Sequence, residues 1–263
     1  MLEFKNVTKQ YHSGVFGTYI TKAVDSVSFS IDANERIGLL GESGCGKSTI
    51  ARLATKLLYP SKGNIVFNGN DINRMSAGEI KEYRRDVQIV FQNPQQIFNP
   101  RMKLYDTIAE PLRLYKLTKC PKEEKEKIDE YMSMFGLTDD ILSRYPKEIS
   151  GGQAQRIAIM RIIMLEPKLI IADEPTTMLD VSVQAQILRL LQNIMDVNKT
   201  ALLFVSHDLD VIRAMCQKII VMKDGRILEI NTTEEVFEHP KDEYTKFLVG
   251  KTNLYNVQSV FTA

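Results

Sequence analysis

Cysteine is scarce: Cys45, Cys120 and Cys216 are the three in 263 residues, too few and too scattered for a disulfide framework or a cysteine-rich metal site. That scarcity suits a reducing cytoplasm. Neither sign of charge is in excess, since 34 Lys and Arg against 33 Asp and Glu leave a formal net charge of +1. Such a balance gives no reason to expect nucleic acid as a partner, and Arg84-Arg85 reads as a solvated helix face. No apolar run approaches the roughly 20 residues that span a bilayer. The start, Met1-Leu2-Glu3-Phe4-Lys5, lacks the basic-then-apolar profile of a secretion signal. The expectation is a chain of the cytoplasm that works at a membrane only through a partner. Internal repeats and low-complexity segments are also missing. The 44% hydrophobic and 25% charged residues are ordinary for a globular protein. The length allows one large domain or a core with an inserted subdomain.

The stretch Gly41-Glu42-Ser43-Gly44-Cys45-Gly46-Lys47-Ser48 fits the phosphate-binding loop pattern G-x-x-x-x-G-K-[ST]. An apolar strand, Arg36 to Leu40, precedes it, and Thr49 to Ala54 follows with helical spacing. The glycines let successive backbone N–H groups turn toward phosphate oxygens, and the helix start adds partial positive charge. Lys47 supplies a full charge to the β- and γ-phosphates, and the Ser48 hydroxyl is the expected Mg²⁺ ligand.

Along the chain, Met1 to Phe4 and Ala23 to Ile31 carry strand patterns, with a Gly- and aromatic-bearing loop, His12 to Tyr19, between them. Asn64 to Phe67 reads as a strand ending at the turn Asn68-Gly69, and Asp86 to Gln92 as another, stopped by Asn93-Pro94. The character then turns helical as far as Tyr145. After Pro121, apolar residues recur at Ile128, Tyr131, Met132 and Phe135, with Gly136 as the stop. The charge run Lys122 to Glu130 is read as the wet face of that helix. Strands at Lys168–Ala172, Ala201–Val205 and Lys218–Met222 then alternate with helices at Val183–Met195 and Leu209–Met215. Arg226–Ile230 closes a hairpin through Asp224-Gly225. The pattern predicts an α/β fold with a parallel sheet covered on both faces and ligands at the carboxyl ends of its strands.

Leu169-Ile170-Ile171-Ala172-Asp173-Glu174 is an apolar strand that delivers two carboxylates to its end. Alternation points neighbouring side chains to opposite faces, so Asp173 can hold Mg²⁺ while Glu174 polarises the attacking water as general base. A third stretch, Ile149-Ser150-Gly151-Gly152-Gln153, opens a helix from Ala154 to Leu165. It reads either as a plain N-cap or as a second anion-binding helix start.

Gly41–Ser48, Ile149–Gln153 and Leu169–Glu174, in that order, resemble the ATPase subunit of ABC transporters. The resemblance runs from Met1 to about Leu248. It implies a P-loop NTPase, a RecA-like core with an N-terminal antiparallel β layer and an inserted helical subdomain. One domain is expected over residues 1–250: core and β layer from 1–92 and 163–250, the helical subdomain from 93–162, and a tail at 251–263. The cofactors implied are ATP and Mg²⁺. Gln92 matches the glutamine loop, which reaches toward the metal and attacking water and also faces the membrane subunit. Leu179-Asp180 matches the loop that crosses between paired ATPase domains. His207 matches the histidine that contacts the γ-phosphate. Tyr11 sits where an aromatic ring stacks on adenine, although Phe16 and Tyr19 nearby offer the same. The expected site is thus Gly41 to Thr49 and Tyr11 for ATP, with Ser48, Gln92 and Asp173 for Mg²⁺ and Glu174, Gln92 and His207 for catalysis. Ser150, Gly151, Gly152 and Gln153 would act on a second chain's nucleotide.

Asp180 to Leu188, Asn99-Pro100-Arg101-Met102, His239-Pro240 and Tyr244-Thr245-Lys246 are similar to runs in oligopeptide, dipeptide and nickel importer ATPases. The partners implied are a second ATPase subunit, as a paralogue, two membrane permease subunits, and an extracytoplasmic solute-binding protein. The place implied is the cytoplasmic face of a bacterial membrane, with peptide, nickel or a metal chelate as cargo. A soluble, non-transport ABC ATPase is the competing reading. Ile149 stands where the family has Leu, and Met160 and Met178 where it generally has small residues. For Cys45, beside Lys47 at a helix start, two readings stay open: a thiol of lowered pKa acting as a redox switch, or a small tolerated loop residue.

Overall fold

A computed structural model describes residues 1–13, 19–176 and 181–250. The chain opens with a hairpin of β1 (Leu2–Ser13) and β2 (Tyr19–Ile31). The ladder runs from Leu2 opposite Ile31 to Ser13 opposite Tyr19. His12 and Tyr19, expected in a loop, are therefore both strand residues. Two things hid this. Register shifts between Phe4 and Gln10 break the period of two, and residues 19–22 are exposed, so no apolar alternation marks them.

There follow β3 (Arg36–Leu40), α1 (Lys47–Ala54), β4 (Lys62–Phe67) and β5 (Asn70–Asp71), the last two joined at Asn68-Gly69 as expected. Helix α2 (Ala77–Asp86) starts from a capping box of Ser76 and Glu79 and leads into β6 (Val87–Val90). Next come α3 (Leu104–Leu114), α4 (Pro121–Met134) and α5 (Gly151–Ile163). The chain then alternates through β7 (Leu169–Asp173), α6 (Val181–Asn198), β8 (Ala201–Val205), α7 (Leu209–Met215) and β9 (Lys218–Lys223). It ends with β10 (Arg226–Thr232), α8 (Thr233–Glu238) and α9 (Glu243–Gly250).

Two sheets result. One is antiparallel, in the order β2-β1-β4-β5; the other has the order β10-β9-β3-β8-β7-β6. In the second, β9, β3, β8, β7 and β6 pair in parallel and β10 is antiparallel to β9. Strands β3, β7, β8 and β9 are buried on both faces, and alternation sorts their side chains. Ile37, Leu39, Leu169, Ile171, Leu203 and Val205 join the core shared with α1 and the antiparallel sheet. Leu40, Ile170, Ala172, Leu202, Phe204 and Val221 join the core shared with α3 to α7. The six-stranded sheet thus separates two apolar cores. The sequence expectation of an α/β P-loop fold with an antiparallel β layer holds.

Helices α3 to α5 lie between β6 and β7 in the chain. Ile128, Met132 and Phe135 of the α4 segment are buried as their spacing predicted. The charge run on α4 needs one correction. Glu124 is buried, not wet: it accepts from Arg113 Nε and Nη2 at 2.8 and 2.7 Å and from the Tyr105 hydroxyl at 3.0 Å. Arg113 holds its carboxyl below the usual carboxylate range. Ile149 and Met160 are core residues as well. Met178, Leu179-Asp180, Phe16 and the tail 251–263 lie outside the described residues.

Candidate active site

Strand β3 delivers the chain to the loop Gly41–Gly46, and α1 begins at Lys47. The loop is forced to be glycine-rich where it turns. Gly46 is the N-cap of α1 at φ 111°, with no side-chain cap. A Cβ there would stand 2.2 Å from the Ala23 carbonyl oxygen. A Cβ on Gly41 would stand equally close, 2.2 Å, to the Met222 oxygen. First-turn amides of a helix have no intrahelical acceptor, so an uncapped start leaves them for an anion.

The buried Lys47 ammonium curls over the loop, donating to the carbonyls of Gly41 at 2.6 Å and Glu42 at 2.9 Å. From outside, Gly225 N–H donates to the Cys45 carbonyl at 3.0 Å, and Glu42 N–H to the Tyr244 hydroxyl at 3.0 Å. Cys45 itself is buried, with burial pushing its thiol pKa up despite Lys47. Desolvation works against the lowered-pKa reading of Cys45. The small-residue reading is the one that fits.

Asp173 ends β7, and the Ser48 hydroxyl donates to its Oδ1 at 3.1 Å. Burial raises the Asp173 pKa against the pull of Ser48, and the Glu174 charge adds to the rise. Glu174 stands one residue past the strand in the left-handed region, at φ 49°. That conformation costs a non-glycine residue about 1–2 kcal/mol. It is held there by its N–H, which donates to the Val205 oxygen at 2.9 Å and extends the β7–β8 ladder. The strained turn swings the carboxylate between two side chains. Gln92 Nε2, beyond β6, donates to Glu174 Oε2 at 3.0 Å, and His207 Nδ1, beyond β8, lies 3.3 Å from Oε1. Three strand ends thus converge on one carboxylate. His207 is positioned by the turn after it: Asp208 Oδ1 accepts from the amides of Asp210 and Val211 and caps α7. An open cleft of ≈ 670 Å³ runs from Gly41, Glu42 and Ser43 to Glu174 and His207, with Leu248 on its wall.

Other expected residues lie elsewhere. Ser150 caps α5 in a full capping box: its hydroxyl accepts from Gln153 N–H at 3.2 Å, and Gln153 Oε1 accepts from Ser150 N–H at 3.0 Å. Gly151 lines a smaller cavity of ≈ 190 Å³ with Gln92 and Gln155, so the α5 start borders this chain's glutamine loop and not its phosphate loop. A Cβ at Gly152 would meet Val183 at 3.1 Å. Tyr11 lies on β1 opposite Thr21, with the Lys9 ammonium 5.5 Å from its ring centroid. The ring is partly exposed and does not line the cleft of the phosphate loop. Tyr244 and Leu248 were given no site role by the sequence; their distance along the chain from Glu42 carries no local signal.

The donor set fits Mg²⁺. Ser48 and Asp173 offer two hard oxygens already paired to each other, and Mg²⁺ takes one or two protein oxygens and completes its shell from phosphates and water. Among the described residues no group of three or more His, Cys, Asp or Glu is gathered to hold a metal alone.

A phosphate loop at the end of β3 and two carboxylates at the end of β7, on a parallel sheet, define a P-loop nucleotide hydrolase. The ABC transporter family matches residues 24–177. The chain is 43% identical, over 95% of its length and 80% of the relative's, to the oligopeptide transport ATP-binding protein OppF of Streptococcus mutans. It is 41% identical, over the same shares, to the dipeptide transport ATP-binding protein DppF of Lactococcus lactis. A solved dimeric ATP-binding cassette, in a post-hydrolysis state bound to ADP and phosphate, superposes with a TM-score of 0.80 at 29% identity. That match covers 89% of this chain and 99% of the other. The chain belongs to the ABC transporter family, and its enzymatic activity is ATP hydrolysis.

Proposed function

We propose that this ATPase energises an importer for oligopeptides or dipeptides from the cytoplasmic face of a bacterial membrane. The observation that carries the reading is the convergence of Lys47, Ser48, Asp173, Glu174, Gln92 and His207 at the ends of β3, β6, β7 and β8. Relatives over nearly the whole chain are named for oligopeptide and dipeptide transport, which supports peptide over nickel or a metal chelate as cargo. Among the described residues no helix is long and apolar enough to cross a membrane. In this reading the path for the cargo belongs to two permease subunits, supplied by an extracytoplasmic solute-binding protein. The helical subdomain expected over residues 93–162, built on α3 to α5, passes the closing motion to them, and the second ATPase is a paralogue.

ATP is the substrate, bound by Gly41 to Thr49 with Tyr11 against the adenine. Amides of the loop and of the first turn of α1 face the phosphates. Lys47 exchanges its two loop carbonyls for phosphate oxygens. Ser48, Asp173 and Gln92 are the residues to hold Mg²⁺, which supplies charge to offset that of the phosphates. Glu174 takes the proton of the attacking water. The Gln92 amide fixes one of its oxygens, so the other is the one presented to that water beside His207. An ionised Glu174 only accepts, so its contact with His207 requires the proton on Nδ1. Ser150, Gly151, Gly152 and Gln153 complete the site of the opposite ATPase domain, and Asp180 reports across the pair.

Glu174→Gln keeps the shape and removes the base. ATP turnover of the assembled transporter is expected to fall by about 100-fold or more, with equilibrium ATP binding retained. Sustained turnover by that variant removes Glu174 as the base. Peptide uptake by cells lacking this chain should return with the wild-type gene and not with Glu174→Gln. Recovery of the chain from cytosol, with no membrane subunit attached and uptake unaffected by its loss, supports a soluble ATPase instead.

A further inference from the structure

The phosphate loop is braced from outside by the carboxyl-terminal part of the chain. One bond in that brace is made by a side chain: the Tyr244 hydroxyl of α9 accepts the Glu42 N–H at 3.0 Å. Glu42 is the second residue of the loop. Its amide is committed to the tyrosine, which fixes the outer edge of the loop. Inside the loop a long Cys45 N–H to Glu42 carbonyl bond, 3.3 Å, and the two Lys47 ammonium bonds to the Gly41 and Glu42 carbonyls add to this.

Tyr244 is itself held on several sides. Its ring is buried, with the Lys223 ammonium 4.7 Å from the centroid. Its N–H donates to Asp242 Oδ1 at 2.8 Å, at the start of α9. The buried carboxylate of Glu229 on β10 accepts the N–H groups of Lys241 and Asp242 at 3.2 and 3.3 Å. Glu229 therefore anchors the start of α9, and α9 presents a fixed hydroxyl to the loop. Leu248, one turn further along the same helix, lines the cleft beside Gly41 and Ser43.

We infer that Tyr244 is a positioning residue for nucleotide binding: through Glu42 it pre-orders the phosphate loop, and through Glu229 it ties that order to the seating of α9. The inference rests on the reading of Gly41 to Ser48 as the nucleotide site. A loop already in its bound shape pays less ordering cost when ATP arrives. By linkage, ATP must then steady α9 as much as α9 steadies the loop.

The test uses the full chain titrated with Mg-ATP by calorimetry, and the assembled transporter for steady-state hydrolysis. Tyr244→Phe keeps the buried ring and removes the acceptor. Its Kd and KM for ATP should rise about three- to tenfold, the range of one net hydrogen bond, with kcat changed by less than about twofold. Glu229→Gln, which leaves Tyr244 in place, should reproduce part of the rise. Hydrogen exchange of the Glu42 amide and of the α9 amides should slow with ATP in the wild type, and slow less in Tyr244→Phe. An unchanged Kd in Tyr244→Phe, with the wild type binding ATP, overturns the role of Tyr244 and leaves the site reading standing. A parallel fall in kcat and thermal stability, with no selective rise in KM, also overturns it and makes the tyrosine a packing residue. Absence of ATP binding by the wild type overturns the site reading and this inference together.

Discussion

The helix starts at Gly46 and at Ser150-Gly151-Gly152 have opposite solutions to the same problem. At α1 the cap is Gly46, which offers no side-chain acceptor and leaves the first-turn amides to whatever binds there. At α5 the cap is Ser150, whose capping box with Gln153 satisfies two backbone groups from within. The first start is incomplete until an anion arrives. The second is partly satisfied from within, and since its hydroxyl accepts from the Gln153 amide, its O–H remains to donate outward. In sequence the two stretches look like variants of one device. Their capping geometry differs: one start is left without a side-chain cap, and the other carries a reciprocal capping box.

Substitutions should separate them further. Gly46→Ala carries the largest effect: a Cβ at φ 111° and 2.2 Å from the Ala23 oxygen should cost about 3 kcal/mol or more. It should appear as a fall in Tm and as loss of the Tm rise on adding ATP; a normal rise would show that the α1 start tolerates a capped geometry. Lys47→Ala should weaken ATP binding in the isolated chain about 100-fold, the value of a charge-assisted contact, with the fold intact by circular dichroism. At the other start, Ser150→Ala should cost about 1 kcal/mol, as ordinary cap removals do. It should leave ATP binding to the isolated chain within about threefold and stop hydrolysis by the assembled complex. A large loss of ATP affinity in the isolated Ser150→Ala chain would erase the distinction between the two starts.

Asp173→Asn gives the smallest shift and has a definite sign. Burial raises the Asp173 pKa, so its carboxyl favours the folded state below its ordinary range. That contribution is lost as pH rises through the raised value. Asparagine never ionises. The variant should therefore gain about 2–4 °C in Tm at neutral pH and lose that gain as the pH falls toward 4, while hydrolysis drops. Equal Tm values at neutral pH would show that Asp173 bears no burial penalty.

Much of this was legible because it is local. The phosphate loop, the Asp173-Glu174 strand end, the turns at Asn68-Gly69 and Asp224-Gly225, and helix α7 from Leu209 to Met215 are written in short runs whose chemistry needs no distant partner. The parts that escaped depend on residues far away in the chain. Glu124 reads as solvated until Arg113 and Tyr105 are seen to surround it. Cys45 keeps two readings open, an activated thiol or a small loop residue, until its burial is seen. Gln10 to Ser13 pair with Tyr19 to Lys22, where residues 19–22 are exposed, and bulges between Phe4 and Gln10 break the period before them, so the alternation that identifies a strand is erased. The Tyr244 to Glu42 bond joins residues 202 apart, and no pattern within either segment announces it.

The position of β3 in its sheet bears on how the protein is made. The strand that carries the phosphate loop lies between β8 and β9, whose residues come from 201–223. A ribosome adding about 5–20 residues per second needs roughly 10 to 40 s to pass from one to the other. Throughout that interval the loop exists as sequence without the strands that shape it. The nascent chain gains its hold on ATP only once β9 has been made and closes against β3.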